Sequence, residues 1–131
     1  MTELRKILYV EDEPDIQTVA RMALEMLGGY DVKVCGDGHE ALREAAAYRP
    51  DLIVLDVMMP GMDGPSTLAE LRRLPDLAAT PVVFMTAKVQ PAEIRHFLSL
   101  GVADVIAKPF DPMTLATTVQ ATWDRLQRDA D

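Results

Sequence analysis

Short apolar segments typical of buried β-strands alternate with amphipathic helical segments five times along this chain, and no other feature constrains the fold as strongly. The first strand-like segment is KILYV at 6–10, and apolar residues at helical spacing follow it from Ile16 to Leu27. The other strand-like segments lie at 30–35, 52–55, 82–85 and 102–106. Alternation with short connections is typical of a parallel sheet that is covered by helices on both faces. We therefore predict an α/β fold, a (βα)5 doubly wound parallel five-stranded sheet.

Size and composition restrict the class of protein. The 131 residues suit one domain, and 49% of them are hydrophobic, which is enough for a packed core. No apolar run reaches the ~18 residues that span a bilayer, and the N-terminal residues lack the pattern of a signal peptide. A lone cysteine, Cys35, excludes an internal disulfide and fits a reducing cytoplasm. The net charge of −8 argues against nucleic-acid binding. We expect a cytoplasmic protein that contacts neither membranes nor nucleic acids directly.

Polar residues that can carry chemistry end four of the five predicted strands. These residues are Glu11 and Asp12 after the first strand, Asp56 after the third, Thr86 after the fourth and Lys108 after the fifth. The carboxyl ends of parallel strands meet at one edge, where open α/β sheets bind their ligands. Each residue also has a local alternative, because acids favour a helix N-terminus and a Lys-Pro pair suits a surface turn. Those alternatives would all have to hold at once, and they leave the shared edge unexplained.

Electrostatics predict a cation among these acids. Two carboxylates at about 4 Å, such as Asp12 and Asp56, repel each other by about 4 kcal/mol at an effective dielectric constant of about 20. Carboxylate oxygens select Mg²⁺ or a similar hard ion, and His39 and His96 lie on predicted helices away from this edge. A metal ion, an ammonium group and a hydroxyl together suit a transferred phosphoryl group. An aspartate carboxylate can accept that group as an acyl phosphate.

Four segments of the chain resemble a known family. ILYVEDEP, LDVMMPGMDG, VVFMTAK and AKPF resemble the receiver domain of two-component response regulators, and the resemblance covers about residues 4–127. It implies the flavodoxin-like strand order 2-1-3-4-5, which alternation alone does not establish. With that order, Glu11 and Asp12 lie close to Asp56. The chain 1–131 is expected to be a single receiver domain. Because no other domain follows, it is either a stand-alone receiver or one cut from a longer protein.

The resemblance also implies a role for each acid. Asp56 would be the phosphoacceptor, and the cofactor would be Mg²⁺. Asp12 would bind the ion directly, while Glu11, at a position where the family often has Asp, would hold it through water. The backbone carbonyl of Met58 would be a further ligand, because the chain turns sharply after Asp56 and points that carbonyl back at the metal.

Thr86 and Lys108 would form hydrogen bonds with the phosphoryl oxygens. The Lys108–Pro109 bond is expected to be cis, as in the family, so that the lysine points inward. Met58 and Lys88 occupy the positions that flank the attacking water in the family. Since a methionine cannot orient a water molecule by hydrogen bonding, we expect slow self-dephosphorylation.

Val105 stands where receivers resemble one another in carrying Tyr or Phe, three residues before Lys108. Valine has no ring to move inward, so we expect a small conformational change on the face formed by the last strand and its neighbouring helices. Phe97 and Phe110 are alternative relays. The output would then be read through the loop around Lys88.

The resemblance predicts a phosphorelay protein that is not an enzyme beyond its own phosphorylation and slow dephosphorylation. A sensor histidine kinase or a histidine phosphotransfer protein would donate the phosphoryl group to Asp56, and the charged form would dock on an unidentified protein target. An aspartyl-phosphate phosphatase of the haloacid-dehalogenase type is an alternative, but it needs an acid at the position of Met58. A phosphorylation-independent adaptor is another, although such proteins usually lose the acceptor or an acid. A flavodoxin-type cofactor binder is disfavoured because EDEP would repel a phosphate.

Overall fold

The computed structural model describes residues 2–130, so the predicted domain bounds 1 and 131 lie outside the described part. Within it the strands are β1 (Lys6–Val10), β2 (Asp31–Cys35), β3 (Leu52–Asp56), β4 (Val82–Thr86) and β5 (Asp104–Ala107). The helices are α1 (Pro14–Met22), α2 (Gly38–Tyr48), α3 (Gly64–Arg72), α4 (Pro91–Ser99) and α5 (Leu115–Ala130). A π-helical turn, Ala23–Leu27, extends α1, and a 3₁₀ turn, Pro75–Leu77, follows α3. None of the helices in residues 2–130 is long and apolar enough to cross a membrane.

All the strands pair in parallel, in the order β2-β1-β3-β4-β5. The predicted fold class and strand order are therefore confirmed. Boundaries shift by one or two residues, and the largest difference is at β5, which begins at Asp104 instead of Val102. Val102 is buried, but it precedes the ladder. A buried apolar residue need not pair with a strand, which is why the apolar pattern placed this boundary too early.

Side chains alternate between two cores because successive residues of a strand point to opposite faces. In β1, Ile7 and Tyr9 pack beneath α1 and α5, whereas Leu8 and Val10 pack beneath α2, α3 and α4. Trp123 of α5 contributes to the first core. Helices on both faces explain why the central strands read as continuous apolar runs in the sequence.

The apolar spacing of α1 overestimates how much of this helix is buried. Ala20 and Ala23 are buried as the spacing predicts, but Val19 and Leu27 are 43% and 54% exposed. The π-helical turn holds more residues per turn than an α-helix, so a period of 3.6 no longer describes the face on which Leu27 lies. Val19 lies at the margin of the buried stripe, where helical spacing alone does not distinguish contact with the sheet from exposure.

Candidate functional site

Strand register places the chemically active residues at one edge of the sheet. Val10 of β1 pairs with Leu55 of β3, so the next residues, Glu11 and Asp56, are neighbours across the two strands. Thr86 of β4 pairs with Ala107 of β5, and Lys108 follows Ala107. The carboxyl ends of these four strands therefore form the site, as the sequence predicted.

Lys108 lies between two of the acids. Its ammonium nitrogen is 2.8 Å from Oε1 of Glu11 and 3.3 Å from Oδ1 of Asp56. The Lys108–Pro109 peptide bond is cis, as predicted. The lysine side chain is 17% exposed, so its ion pairs are partly shielded from water. One ammonium group thus neutralises part of the charge of two buried carboxylates.

Glu11, Asp12 and Asp56 form an acid cluster: each offers one carboxylate oxygen, and these three oxygens lie within 4.8 Å of one another. Glu11 and Asp56 are buried, and Asp12 is half-buried. Three converging carboxylates are a donor set that suits a hard divalent cation such as Mg²⁺. The lysine supplies one positive charge against three negative ones, so the cluster has the net charge to hold such an ion.

Burial and neighbouring charges shift the pKa values of the clustered acids in different directions. Burial, together with the charge of Glu11, raises the pKa of Asp56 from 3.8 to about 6, although Lys108 opposes this shift. Burial would also raise the pKa of Glu11, but hydrogen bonds from Lys108 and from the Glu13 backbone outweigh it and lower that pKa. Burial and Glu11 raise the pKa of Asp12. Burial disfavours the charged form of Lys108, yet Glu11 and Asp56 raise its pKa. At neutral pH, therefore, Asp56 is largely ionised and Lys108 is charged.

Two contacts to Glu11 went unrecognised in the sequence. The Tyr9 hydroxyl lies 3.4 Å from Oε1 of Glu11, and the backbone N–H of Glu13 donates to Oε2 at 3.2 Å. The signal for Tyr9 was available, because residues i and i+2 of a strand share a face. A tyrosine two residues before an acid at a strand end is therefore positioned to contact it.

The loop after β3 turns as the sequence suggested. The N–H of Met58 points to Oδ1 of Asp56 at 3.4 Å, and the N–H of Gly64 donates to the carbonyl of Val57 at 2.9 Å. A Cβ on Gly64 would lie 2.8 Å from Cα of Val57, so the backbones approach too closely for any other residue. Gly61 has a φ of 79°, which favours glycine. The Met58 side chain is 60% exposed beside this turn.

Thr86 is fully buried, and its hydroxyl oxygen accepts a hydrogen bond from the Lys88 backbone N–H at 3.0 Å. The Lys88 side chain is exposed, so the loop carries a solvated cation near the end of β4. Val105 pairs with Phe84 in the sheet and packs against the core beneath α2, α3 and α4. His39 and His96 are exposed on α2 and α4, as predicted.

Comparison with known proteins is consistent with this geometry. The family model of the response regulator receiver domain matches residues 7–120. The chain is 41% identical over 121 residues to the alkaline phosphatase synthesis transcriptional regulatory protein PhoP of Bacillus subtilis, covering 92% of this chain and 49% of that protein. It is 36% identical over 130 residues to the DNA-binding response regulator MtrA of Mycolicibacterium smegmatis, covering 99% of this chain and 54% of that protein. The chain thus spans about half the length of the curated relatives it matches.

Solved structures of response regulators and receiver domains superpose on this fold. The chemotaxis response regulator CheY4 of Vibrio cholerae superposes with a TM-score of 0.84 at 32% identity, over 92% of this chain and 99% of that one. The receiver domain of the sensor histidine kinase PA1611 of Pseudomonas aeruginosa, which holds a magnesium ion in its active-site cleft, superposes with a TM-score of 0.79 at 34% identity, over 91% of this chain and 97% of that one. With the sheet order, the edge cluster and these matches in agreement, the chain belongs to the response regulator receiver domain family.

Proposed function

We propose that Asp56 accepts a phosphoryl group in a Mg²⁺-dependent reaction and that residues 4–127 act as one receiver domain. The observation that carries the proposal is the position of the Lys108 ammonium, within 3.3 Å of Asp56 and 2.8 Å of Glu11, beside a third carboxylate. Such a site would combine the nucleophile Asp56 with two sources of positive charge for the phosphoryl oxygens, the Lys108 ammonium and the Mg²⁺ ion. Asp56 would supply the attacking oxygen, and Lys108 would offset negative charge on the phosphoryl oxygens.

The transfer uses Asp56 as nucleophile. The phosphoryl donor would be a phosphorylated histidine of the partner protein. A carboxylate oxygen of Asp56 attacks phosphorus, the bond between phosphorus and the histidine nitrogen breaks, and the electron pair of that bond stays on the imidazole. Because the pKa of Asp56 is about 6, the nucleophile is mostly ionised at neutral pH. Lys108 would move its ammonium toward a phosphoryl oxygen, and the Thr86 hydroxyl would donate a hydrogen bond to another.

Glu11, Asp12 and Asp56 would hold Mg²⁺, with the Met58 carbonyl as a further ligand. When bound, the ion neutralises charge on the phosphoryl oxygens. The clustered carboxylates fit this ion, and the related PA1611 receiver has magnesium in its active-site cleft. Beyond transfer to and from Asp56, we propose no turnover of other substrates.

The donor would be a sensor histidine kinase or a histidine phosphotransfer protein, and the phosphorylated form would dock on a protein target. The match to the receiver of a sensor histidine kinase supports a partner of this kind. The curated relatives include DNA-binding regulators about twice as long as this chain, so a longer protein that carries this receiver can act on DNA through another domain. Direct DNA contact by residues 2–130 is disfavoured by the net charge of −8 of the chain.

Labelling with a small phosphodonor tests the proposal. Acetyl phosphate with Mg²⁺ should add about 80 Da, one phosphoryl group, to the intact mass of the protein. Asp56→Ala should abolish the addition, and chelation of Mg²⁺ should suppress it in the unaltered protein. Asp76→Asn, which alters an exposed carboxylate in the turn Pro75–Leu77, is the matched control and should label normally. Unchanged labelling of Asp56→Ala would overturn the assignment.

A further inference from the structure

Tyr9 is a buried polar residue for which the proposed function has assigned no role. It lies in the middle of the sheet on β1 and is 0% exposed. Its hydroxyl lies 3.4 Å from Oε1 of Glu11 and 3.8 Å from the sulfur of Met85. A buried hydroxyl without a partner is costly, so this phenol must donate its proton to one of these two atoms.

The carboxylate of Glu11 is the better acceptor. A thioether sulfur accepts hydrogen bonds weakly, whereas a carboxylate oxygen is a strong, charged acceptor. Glu11 is therefore the acceptor of the phenol's hydrogen bond. Its proton points to the acid that the proposed metal site uses.

Oε1 of Glu11 has two side-chain donors among residues 2–130, Lys108 at 2.8 Å and Tyr9 at 3.4 Å. The two donors differ in what else they contact. Lys108 is also 3.3 Å from Asp56, so a phosphoryl group on Asp56 would attract its ammonium away from Glu11. Tyr9 is held in the core by the packing of its ring and does not reach Asp56 by any described hydrogen bond. When Lys108 moves, Tyr9 remains.

We propose that Tyr9 is a positioning residue for the metal site: its hydroxyl holds the Glu11 carboxylate in place for Mg²⁺, above all when the phosphoryl group engages Lys108. The inference rests on the proposed function, because it assumes that Glu11 helps to hold the ion. It adds that the longer side chain of Glu11 is matched to the phenol behind it. An aspartate at position 11 would end one methylene short and could not reach this hydroxyl.

Titration with Mg²⁺ alone tests the role of Tyr9. The dissociation constant is measured from the amide signals of residues 11–13 and 56–58 in the unaltered protein and in Tyr9→Phe, which keeps the ring in the core. We expect Mg²⁺ to bind Tyr9→Phe about fivefold more weakly, the scale of one typical intramolecular hydrogen bond, because the contact with Glu11 is long at 3.4 Å. Tyr48→Phe is the matched control. Its hydroxyl donates to a carboxylate oxygen of Asp31 at 2.9 Å, at the opposite edge of the sheet, and its loss should leave the constant unchanged.

A second background separates positioning from a general effect on the core. In Glu11→Asp the carboxylate no longer reaches the phenol. Adding Tyr9→Phe to that variant should therefore leave the Mg²⁺ dissociation constant within about twofold of its value in Glu11→Asp alone. With beryllofluoride and Mg²⁺ in the protein that retains Glu11, the loss caused by Tyr9→Phe should exceed the loss seen with Mg²⁺ alone, because Lys108 is then engaged.

The outcomes distinguish the inference from the proposed function. If the unaltered protein binds Mg²⁺ and Tyr9→Phe binds it equally well, the role of Tyr9 is refuted and the metal site stands. If Tyr9→Phe causes the same loss in the Glu11→Asp variant as in the protein that retains Glu11, the role is also refuted, since the effect would then come from the core. If the unaltered protein binds no Mg²⁺, the metal step of the proposed function fails, and the role of Tyr9 fails with it.

Discussion

In receivers, the positions of Met58 and Lys88 flank the water that attacks the phosphoryl group, so we expect these two side chains to set how long that group persists. Met58 is 60% exposed next to the turn after β3, and Lys88 is exposed on the loop after β4. Neither side chain can both accept and donate hydrogen bonds to a water molecule that attacks phosphorus. We therefore expect a thioether and a cation at these positions to activate that water poorly.

We predict slow self-dephosphorylation that Met58→Asn accelerates. An asparagine amide can orient the attacking water without taking up its proton, so the phosphoryl half-life should fall by about tenfold, less than the effect of a full general base. The measurement follows the decay of the phosphorylated mass after the phosphodonor is removed. Met113→Asn alters another exposed methionine, at 72% exposure, and should leave the half-life unchanged. A half-life of a few seconds that Met58→Asn does not alter would contradict this prediction.

The loop between β3 and α3 holds Asp56 in position by close backbone contact. Gly64, at the start of α3, has no space for a side chain, because a Cβ would lie 2.8 Å from Cα of Val57 and 2.9 Å from the carbonyl oxygen of Asp56. Both neighbours are backbone atoms, which cannot rotate away as a flexible side chain can.

Gly64→Ala should therefore displace the loop that carries Asp56 and Met58. We expect a loss of about 1–3 kcal/mol in the free energy of unfolding, the range for overpacking a buried site. We also expect weaker Mg²⁺ binding, measured by titration on the folded variant. Gly36→Ala is the control, because its Cβ would meet nothing nearer than Gln17 at 3.9 Å. Equal Mg²⁺ affinity for Gly64→Ala and the unaltered protein would show that the loop tolerates a side chain.

We expect β5 and its neighbouring helices to determine how far a phosphorylation signal spreads. Val105 is half-buried opposite Phe84, and a valine has one stiff rotamer and no ring that can swing between two positions. A ligand shifts a conformational equilibrium only through a difference in affinity between two states. Because position 105 holds valine, this chain lacks the movable ring whose contacts would differ between two such conformational states.

We predict that beryllofluoride with Mg²⁺ moves the loop near Lys88 but changes α5 little. Amide chemical shifts measured with and without the two reagents should change most at residues 86–92. Changes of comparable size across residues 111–126 would contradict this expectation and would favour a relay through Phe97 or Phe110. Phe97 packs edge-on against Phe84, with ring centroids 5.4 Å apart, and is the better placed of the two to contact the sheet.

At the scale of the whole molecule, the acid cluster lowers the stability of the fold that contains it. The two cores share one sheet, so repulsion at its edge acts on the cooperative unfolding of the entire domain. The pKa of Asp56 rises from 3.8 to about 6 on folding. Its contribution to the free energy of unfolding is therefore fully present below about pH 3.8 and is lost as the pH rises through about 6. At neutral pH the ionised Asp56 therefore destabilises the protein.

Asp56→Asn should stabilise the protein at neutral pH in the absence of Mg²⁺. The difference between 3.8 and about 6 corresponds to on the order of 2–3 kcal/mol in the free energy of unfolding. Because asparagine resembles the protonated acid, this gain should shrink as the pH falls from about 7 to about 4. Urea unfolding followed by Trp123 fluorescence measures it, with Asp76→Asn as the control. A gain that does not depend on pH would show that repulsion at Asp56 is not its cause.

The elements, and the edge of the sheet at which chemistry is possible, can be predicted from the order of residues along the chain. Strands and helices follow from the spacing of apolar residues, which is a local property, and Glu11, Asp56 and Lys108 lie at or directly after strand ends in the chain. Once the sheet is parallel, its carboxyl ends must meet. The strand order came from the resemblance to receivers, because alternation is compatible with more than one order. The roles of the individual site residues stay predictions until they are tested.

Contacts between distant parts of the chain could not be predicted in this way, because they depend on how the elements pack. The pairing of Lys108 with Glu11, 97 residues away, depends on strand order and on the direction of one side chain. The hydrogen bond of Tyr9 depends on the exact position of a buried ring, and the exposure of Val19 and Leu27 depends on how α1 lies on the sheet. Periodicity reports which face of an element is apolar, but the packing of elements determines which atoms meet on that face.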